Sequence, residues 1–273
     1  MRLQGKVAIV TGTSRNIGGA IAAGFAAEGA LVACNDRRAE LAEECAEGIR
    51  AGGGQAVAIP GDVTEAAFVD AAVASVVEQF GHVDILVNNA VMFDRQGLLT
   101  ADFDTYRRQL DVILGGAFLF TRAVARSMIG LGIGGSVINV LSTAAWQGEP
   151  GNLGYGTGKS GLINFTRSVA MELAEHDIRV NALTPTATLP DDPRLRAELA
   201  GALAGTVGRY AMDFGPQIPL GRLLSPTDYV PAFVFLASDD SKMMTGTNIT
   251  VDGGATAKYW AWRPTPPGAA AGG

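Results

Sequence analysis

The chain has 273 residues, of which 48% are hydrophobic and 18% charged, a composition that excludes a disordered chain and is ample for a sizeable core. Its net charge is -6 with no basic block, which argues against nucleic acid as the main partner. Only Cys34 and Cys45 carry thiols; both sit in apolar patterns and read as small buried hydrophobes of a cytoplasmic protein. The opening MRLQGKVAIVTG lacks the features of a signal peptide, and no apolar run reaches the length of a membrane span.

In chain order, residues 6–10 (KVAIV) form a β-branched run that predicts a buried strand, followed by the turn TGTSRNIGG and a helix over 17–28. A second strand is expected at 31–34, a helix at 39–50 and a third strand at 56–59. A helix follows at about 65–80, then a fourth strand at 83–87. The spacing predicts one long helix over 103–128, a fifth strand at 137–141, a helix through Tyr155 and Lys159 to about 174, and a sixth strand at 178–183. A helix at 226–237 and a strand at 248–251 complete the pattern. Seven strands alternating with helices imply βαβ units: a Rossmann-type, doubly wound parallel sheet with helices on both faces. No composition break cuts residues 1–255, which read as one domain. Residues 186–222 fit the rhythm poorly, with a possible helix near 193–203, and read as a substrate lid or a surface excursion. The tail from 256 to 273 carries Tyr259, Trp260 and Trp262, expected to dock on a core or a neighbouring subunit, and its last residues are expected to be disordered.

The chemistry concentrates in two places. The turn Gly12-Thr13-Ser14-Arg15-Asn16-Ile17-Gly18 joins the first strand to the first helix, where small residues admit a pyrophosphate to free helix N–H groups. Asp36 ends the second strand, where a carboxylate accepts from adenosine ribose hydroxyls and repels a 2′-phosphate. That favours NAD over NADP, although Arg15 and Arg37 are each able to pair with such a phosphate. The second place is Ser142…Tyr155-x-x-x-Lys159. Tyr155 and Lys159 are four residues apart, on one face of a helix. An ammonium beside a phenol favours the phenolate and pulls its pKa down, while Ser142 offers a hydroxyl for a substrate oxygen. His82 and His176 are single, with no ligand spacing, so no metal is expected. There is no GxSxG elbow for hydrolase chemistry.

TGTSRNIG, GDV at 61–63, NNA at 88–90, the Ser142/Tyr155/Lys159 set and VDGG at 251–254 together resemble a short-chain dehydrogenase/reductase of the classical type, over residues 5 to about 255. The resemblance implies an NAD(P)-dependent oxidoreductase that interconverts a secondary alcohol and a ketone. Tyr155 would be the acid–base catalyst, Lys159 would lower its pKa and hold the nicotinamide ribose, and Ser142 would orient the carbonyl. Gly12, Ser14, Arg15, Asn16, Ile17 and Gly18 would follow the cofactor's phosphates and adenosine ribose. Asp62 and Val63 would meet adenine, Asn89 and Ala90 would pass beside the adenosine-side ribose, and Pro185 and Thr188 would lie by the carboxamide. Ala144, Trp146 and Gly148, with the 186–222 segment, would line the substrate pocket; Trp146 and Phe214 hint at an apolar or ring-bearing substrate. A homo-oligomer, tetramer or dimer, is also implied.

The sequence departs from the family at four places. Asn16 replaces a glycine, a change the turn survives if Asn takes φ > 0. Val91 follows NNA, and Thr186 and Pro190 alter the nicotinamide end. Ile113 stands where the family has an Asn that helps hold a proton-relay water. This last departure supports an alternative: a dinucleotide-binding relative with weak or lost catalysis, acting as a sensor or assembly partner.

Overall fold

The computed structural model describes residues 1–197 and 214–259. Its centre is a seven-stranded sheet in the order β3-β2-β1-β4-β5-β6-β7, made of β1 (Val7–Thr11), β2 (Leu31–Asn35), β3 (Gln55–Ala58), β4 (Ile85–Asn88), β5 (Gly135–Val140), β6 (Ile178–Pro185) and β7 (Asn248–Val251). Every pairing is parallel. Chain order reverses between β1 and β4, so the carboxyl ends of these strands open a crevice, the usual binding place of such a sheet.

Alternation along the strands divides the core. In β1, Ala8 and Val10 face one cluster and Val7 and Ile9 the other. The first cluster packs under α1 (Ile17–Ala27), α2 (Ala39–Ala51) and a C-terminal helix, α7 (Val230–Ala237). The second packs under α3 (Ala66–Phe80) and α5 (Gly116–Leu131). Large buried side chains such as Phe25, Phe120 and Phe233 anchor both faces, each contributing about 1.5–3 kcal/mol by burial. A third, smaller cluster joins Ile113, Leu141, Tyr155 and Leu162 around α6 (Leu153–Leu173).

The long helix expected over 103–128 is interrupted. It comprises α4 (Phe103–Leu110), a π-helical segment at Asp111–Gly115, and α5. A hydrophobic periodicity carries no mark of a one-residue slip in hydrogen-bond register, so the interruption is invisible in the pattern. As one unit, Phe103–Leu131 has a window of mean hydropathy 1.5 and is long enough to cross a membrane, contrary to the sequence reading. Half of that window is buried inside the protein, where α5 packs on α3 and β4, the place of a core helix. The helix expected at 226–237 begins as a 3-10 turn, Pro226–Tyr229, before α7. Of the possible helix near 193–203, residues 193–197 are helical and the remainder lies outside the described residues, as do Trp260, Trp262 and the end of the tail.

A buried polar chain crosses the sheet's second face. Asn88 Nδ2 donates to Thr121 Oγ1 (3.0 Å) and to Asn139 Oδ1 (2.9 Å), Asn139 Nδ2 donates to Thr166 Oγ1 (3.0 Å), and Thr166 donates to the Leu162 carbonyl (2.7 Å). It fixes α5 and α6 relative to β4 and β5. The substitution Asn139→Leu is expected to lower the unfolding free energy by about 1–3 kcal/mol, measured by urea denaturation, because it strips partners from Asn88 and Thr166.

Candidate active site

The crevice at the carboxyl ends of β1 and β4 is a cleft of about 490 Å³. Its first wall is the turn after β1. Gly12 has φ 69°, and a Cβ there would stand 2.9 Å from Ala90 Cα; a Cβ at Gly18 would stand 2.1 Å from the Gly12 carbonyl oxygen. Only glycine fits either position. Asn89 Nδ2 donates to the carbonyls of Thr11 (3.0 Å) and Gly12 (2.9 Å), and the Thr11 hydroxyl accepts from the amides of Asn89 and Ala90. These bonds stitch the turn to the end of β4. Asn16 occupies the N-cap of α1 with φ -129°, so the turn does not draw on the tolerance of Asn for positive φ; among the described residues Asp177 is the non-glycine residue with one. Asn16 makes no side-chain cap bond, its Oδ1 is buried without a partner among the described residues, and the first turn of α1 holds no acid. A helix start left this way favours an anion.

Gly12, Ser14, Asn16, Ile17, Gly18, Asp36, Arg37, Asp62, Val63, Asn89, Ala90, Tyr155, Lys159 and Pro185 all line the cleft. Arg15 and Thr188 do not. Arg15 pairs with Glu44 of α2, and the Thr188 hydroxyl is bonded to the Thr186 carbonyl (2.8 Å) and the buried Tyr229 hydroxyl (2.9 Å). Asp36 stands at the end of β2 with one oxygen accepting from the Arg38 amide (3.0 Å), and Arg37 and Arg38 are exposed on the rim. Arg108 enters unforeseen from α4. Its guanidinium contacts Asp62 and donates to Thr64 (2.7 Å). Burial raises the Asp62 carboxyl, but hydrogen bonds from Thr64 and the Arg108 charge outweigh it, and the group titrates below its ordinary value. Nothing in the sequence near 108 advertised this contact, which depends on how α4 packs.

At the inner end, Tyr155 is buried and Lys159 is 1% exposed. The Lys159 ammonium donates to the Val140 carbonyl and lies 5.7 Å from the Tyr155 ring centre. The Ser142 hydroxyl hydrogen-bonds beside the Tyr155 phenol and accepts from the Ala144 amide (3.1 Å). The three residues are thus brought together, but the expected lowering of the phenol does not appear. Burial pushes Tyr155 up to about 12, against the pull of Ser142; Glu149 adds to the rise and Arg95 opposes it. Burial likewise pushes Lys159 down to about 7. In so dry a place the ammonium is itself destabilised, so it does not act as a fixed positive charge on its neighbour.

Ile113 lies in the π-helical segment, 2% exposed, and its Cγ2 would stand 3.0 Å from a Cβ at Gly158 of α6. With Thr11, Asn88, Lys159 and Leu162 it lines a small cavity of about 10 Å³, and the buried Asn88 Oδ1 has no partner among the described residues. Of the expected substrate residues, Ala144 follows Ser142, Trp146 is half exposed with its Nε1 donating to Thr184 (3.2 Å), and Gly148 has open space around it. Phe93 stacks on Tyr155, ring centres 4.6 Å apart.

Residues 12–256 match the family model described as "Enoyl-(Acyl carrier protein) reductase". The chain is 37% identical to a galactitol 2-dehydrogenase of Agrobacterium fabrum over 93% of this chain and 98% of that protein. It is 35% identical to a sorbitol dehydrogenase of Cereibacter sphaeroides, again over 93% of this chain and 98% of that protein. A gluconate 5-dehydrogenase from Burkholderia cenocepacia, solved in complex with NADP and tartrate, superposes with a TM-score of 0.83 at 32% identity, covering 94% of this chain and 97% of that one. The chain belongs to the short-chain dehydrogenase/reductase family, a family of NAD(P)-dependent oxidoreductases.

Lys159 yields a test of the site's electrostatics. Its folded pKa of about 7 lies below the unfolded value near 10.4, so between these values the unfolded chain binds the extra proton. Stability therefore rises with pH through this window. Urea denaturation from pH 7 to 10 is expected to show that rise in the cofactor-free protein and a flatter profile in Lys159→Met.

Proposed function

We propose that this protein oxidises a secondary alcohol to a ketone, or reduces the ketone, with Tyr155 moving the proton at the substrate oxygen. The observation that carries this reading is the meeting of Tyr155 and Lys159 at the inner end of a glycine-walled cleft, with the Ser142 hydroxyl beside the phenol. The narrow turn at Gly12 and Gly18, the uncapped start of α1 and the acid at the end of β2 fit a dinucleotide. When bound, NAD(P) supplies the hydride acceptor or donor. Ser142 would steady the substrate oxygen as charge develops on it, and Lys159 would hold ribose hydroxyls and share protons with the phenol. Gly12, Ser14, Asn16, Ile17 and Gly18 would cradle the phosphates, with Asp62, Val63, Asn89, Ala90 and Pro185 along the rest of the groove. Arg15 and Thr188 stand outside the cleft lining, beside Glu44 and Tyr229, and are not part of the proposed groove.

The cofactor is read as NAD. Asp36 stands at the end of β2 and repels a 2′-phosphate, while Arg37 and Arg38 on the rim supply the counter-argument. The relatives' names make neutral polyols the first substrates to screen. The family also suggests a homo-oligomer, for which Phe118, Ile129 and Leu131 on α5 and Met171 on α6 offer exposed apolar surface. Ile113 favours a second reading, a binding protein with weak turnover, because no side-chain hydrogen bond from that position is available near Lys159.

Tyr155→Phe is expected to lower kcat by about 10²–10⁴-fold while leaving NADH affinity intact, measured by steady-state rates and by nicotinamide fluorescence. Equal turnover in that variant would defeat the mechanism, and absence of turnover in the wild type across polyols and their ketones would favour the binding protein. Titration with NADH and NADPH is expected to show tighter NADH binding, and Asp36→Ala to narrow the ratio about tenfold, the worth of roughly 1.4 kcal/mol of removed repulsion.

A further inference from the structure

The proton-transfer reading of Tyr155 leaves two charged side chains in the neighbouring loops without a role. The loop between β4 and α4 carries Phe93 and Arg95, and the loop before α6 carries Glu149. The stacking of Phe93 on Tyr155, at 4.6 Å between centres, lays the first loop over the phenol. There Arg95 Nη1 stands 3.8 Å from Glu149 Oε1, with the two side chains 38% and 15% exposed. That separation is within Coulombic reach but too long for a hydrogen bond. Among the described residues neither group makes a side-chain hydrogen bond. Arg95 follows Phe93 by two residues and Glu149 precedes Tyr155 by six, so the pair belongs to the two loops next to the phenol, where Glu149 raises the Tyr155 pKa and Arg95 opposes it.

A hydroxyl group satisfies such a pair at one stroke. It accepts from the guanidinium and donates to the carboxylate, and both bonds are charge-assisted. A carboxylate on the substrate would gain Arg95 and meet Glu149, and an ammonium would gain Glu149 and meet Arg95. The half-exposed rings of Phe93 and Trp146 supply flat apolar faces for the C–H bonds of a carbon chain nearby. We propose that Arg95 and Glu149 form a hydroxyl-reading pair, and that the substrate is a neutral polyhydroxylated alcohol with a free hydroxyl beside the reacting carbon. The inference rests on the oxidoreductase reading above and adds to it the residues that choose the substrate.

The test compares kcat/KM for butane-2,3-diol, butan-2-ol and 3-hydroxybutyrate, with NAD and NADP in parallel, in the wild type, Arg95→Met and Glu149→Gln. The wild type is expected to prefer the diol to butan-2-ol by about tenfold or more, as sites built to bond a hydroxyl do. Each variant is expected to reduce that ratio by about tenfold, and Glu149→Gln to raise 3-hydroxybutyrate relative to the diol. A merely structural role would lower all three substrates together and leave the ratios standing, which would overturn the proposal. So would a wild type that treats diol and mono-alcohol alike or prefers the hydroxy acid, while oxidation of any of them would leave the role of Tyr155 in place. If none is oxidised, and neither acetoin nor butanone is reduced with NADH or NADPH, the oxidoreductase reading falls and this one with it.

Discussion

Burying an ammonium group with no carboxylate beside it is costly, and the inner end of the cleft is organised around that constraint. Lys159 sits on α6 with its ammonium against the Val140 carbonyl at the end of β5. Desolvation alone accounts for its depressed pKa, with no opposing charge to relieve it. The position is held by what surrounds it: the Asn88–Asn139–Thr166 chain locks α6 to the sheet, and Ile113 packs against Gly158 one residue away. A group that accepts hydrogen bonds from Lys159 would relieve part of the penalty, so binding in the cleft and protonation of Lys159 are linked.

The same dryness explains why Tyr155 stands near 12 and not below its ordinary value. Four-residue spacing on a helix brings a phenol and an amine together, but what they do to each other depends on how much charge the site can carry. Here the neighbours that adjust the phenol come from loops: Ser142 from the end of β5, Arg95 from the segment after β4, and Glu149 from the segment before α6. The α6 helix fixes position, and the loops fix charge. This division of labour is the usual one for sites at the carboxyl ends of a parallel sheet.

The sheet was legible because its signals are local. Short β-branched runs between helical stretches gave all seven strands, and the glycine turn, Asp36, Tyr155 and Lys159 line one cleft at the carboxyl ends of those strands. What the sequence concealed depends on tertiary packing. Arg15 reads as a phosphate ligand in the sequence, which gives no sign that α2 brings Glu44 beside it, nor that the Thr188 hydroxyl meets that of Tyr229. Arg108 and Phe93 carry no motif, because their meeting with the cleft is decided by how α4 and the loop before it pack, and the pairing of Arg95 with Glu149 is likewise a matter of how two loops fold. Asn16 was read through its tolerance of positive φ, whereas the turn obtains its positive φ at Gly12 and leaves Asn16 as the N-cap.

The π-helical segment links several of these points. An extra residue in the turn at Asp111–Gly115 changes the register between α4 and α5, so the two halves of one apolar helix face different tasks. The α5 half packs on α3 beneath the sheet, whereas the α4 half carries Arg108 to Asp62 and buries Gln109 against Gly154 at the start of α6. Gln109 Nε2 also reaches the Met92 carbonyl (3.3 Å), next to Phe93. The Asp62 end of the cleft, the start of α6 and the loop that covers Tyr155 are therefore tied to one short stretch of helix. With a straight helix through 103–131, residues on opposite sides of the break could not keep both sets of contacts. A local departure from α-helical geometry thus sets the relation between the two ends of the site.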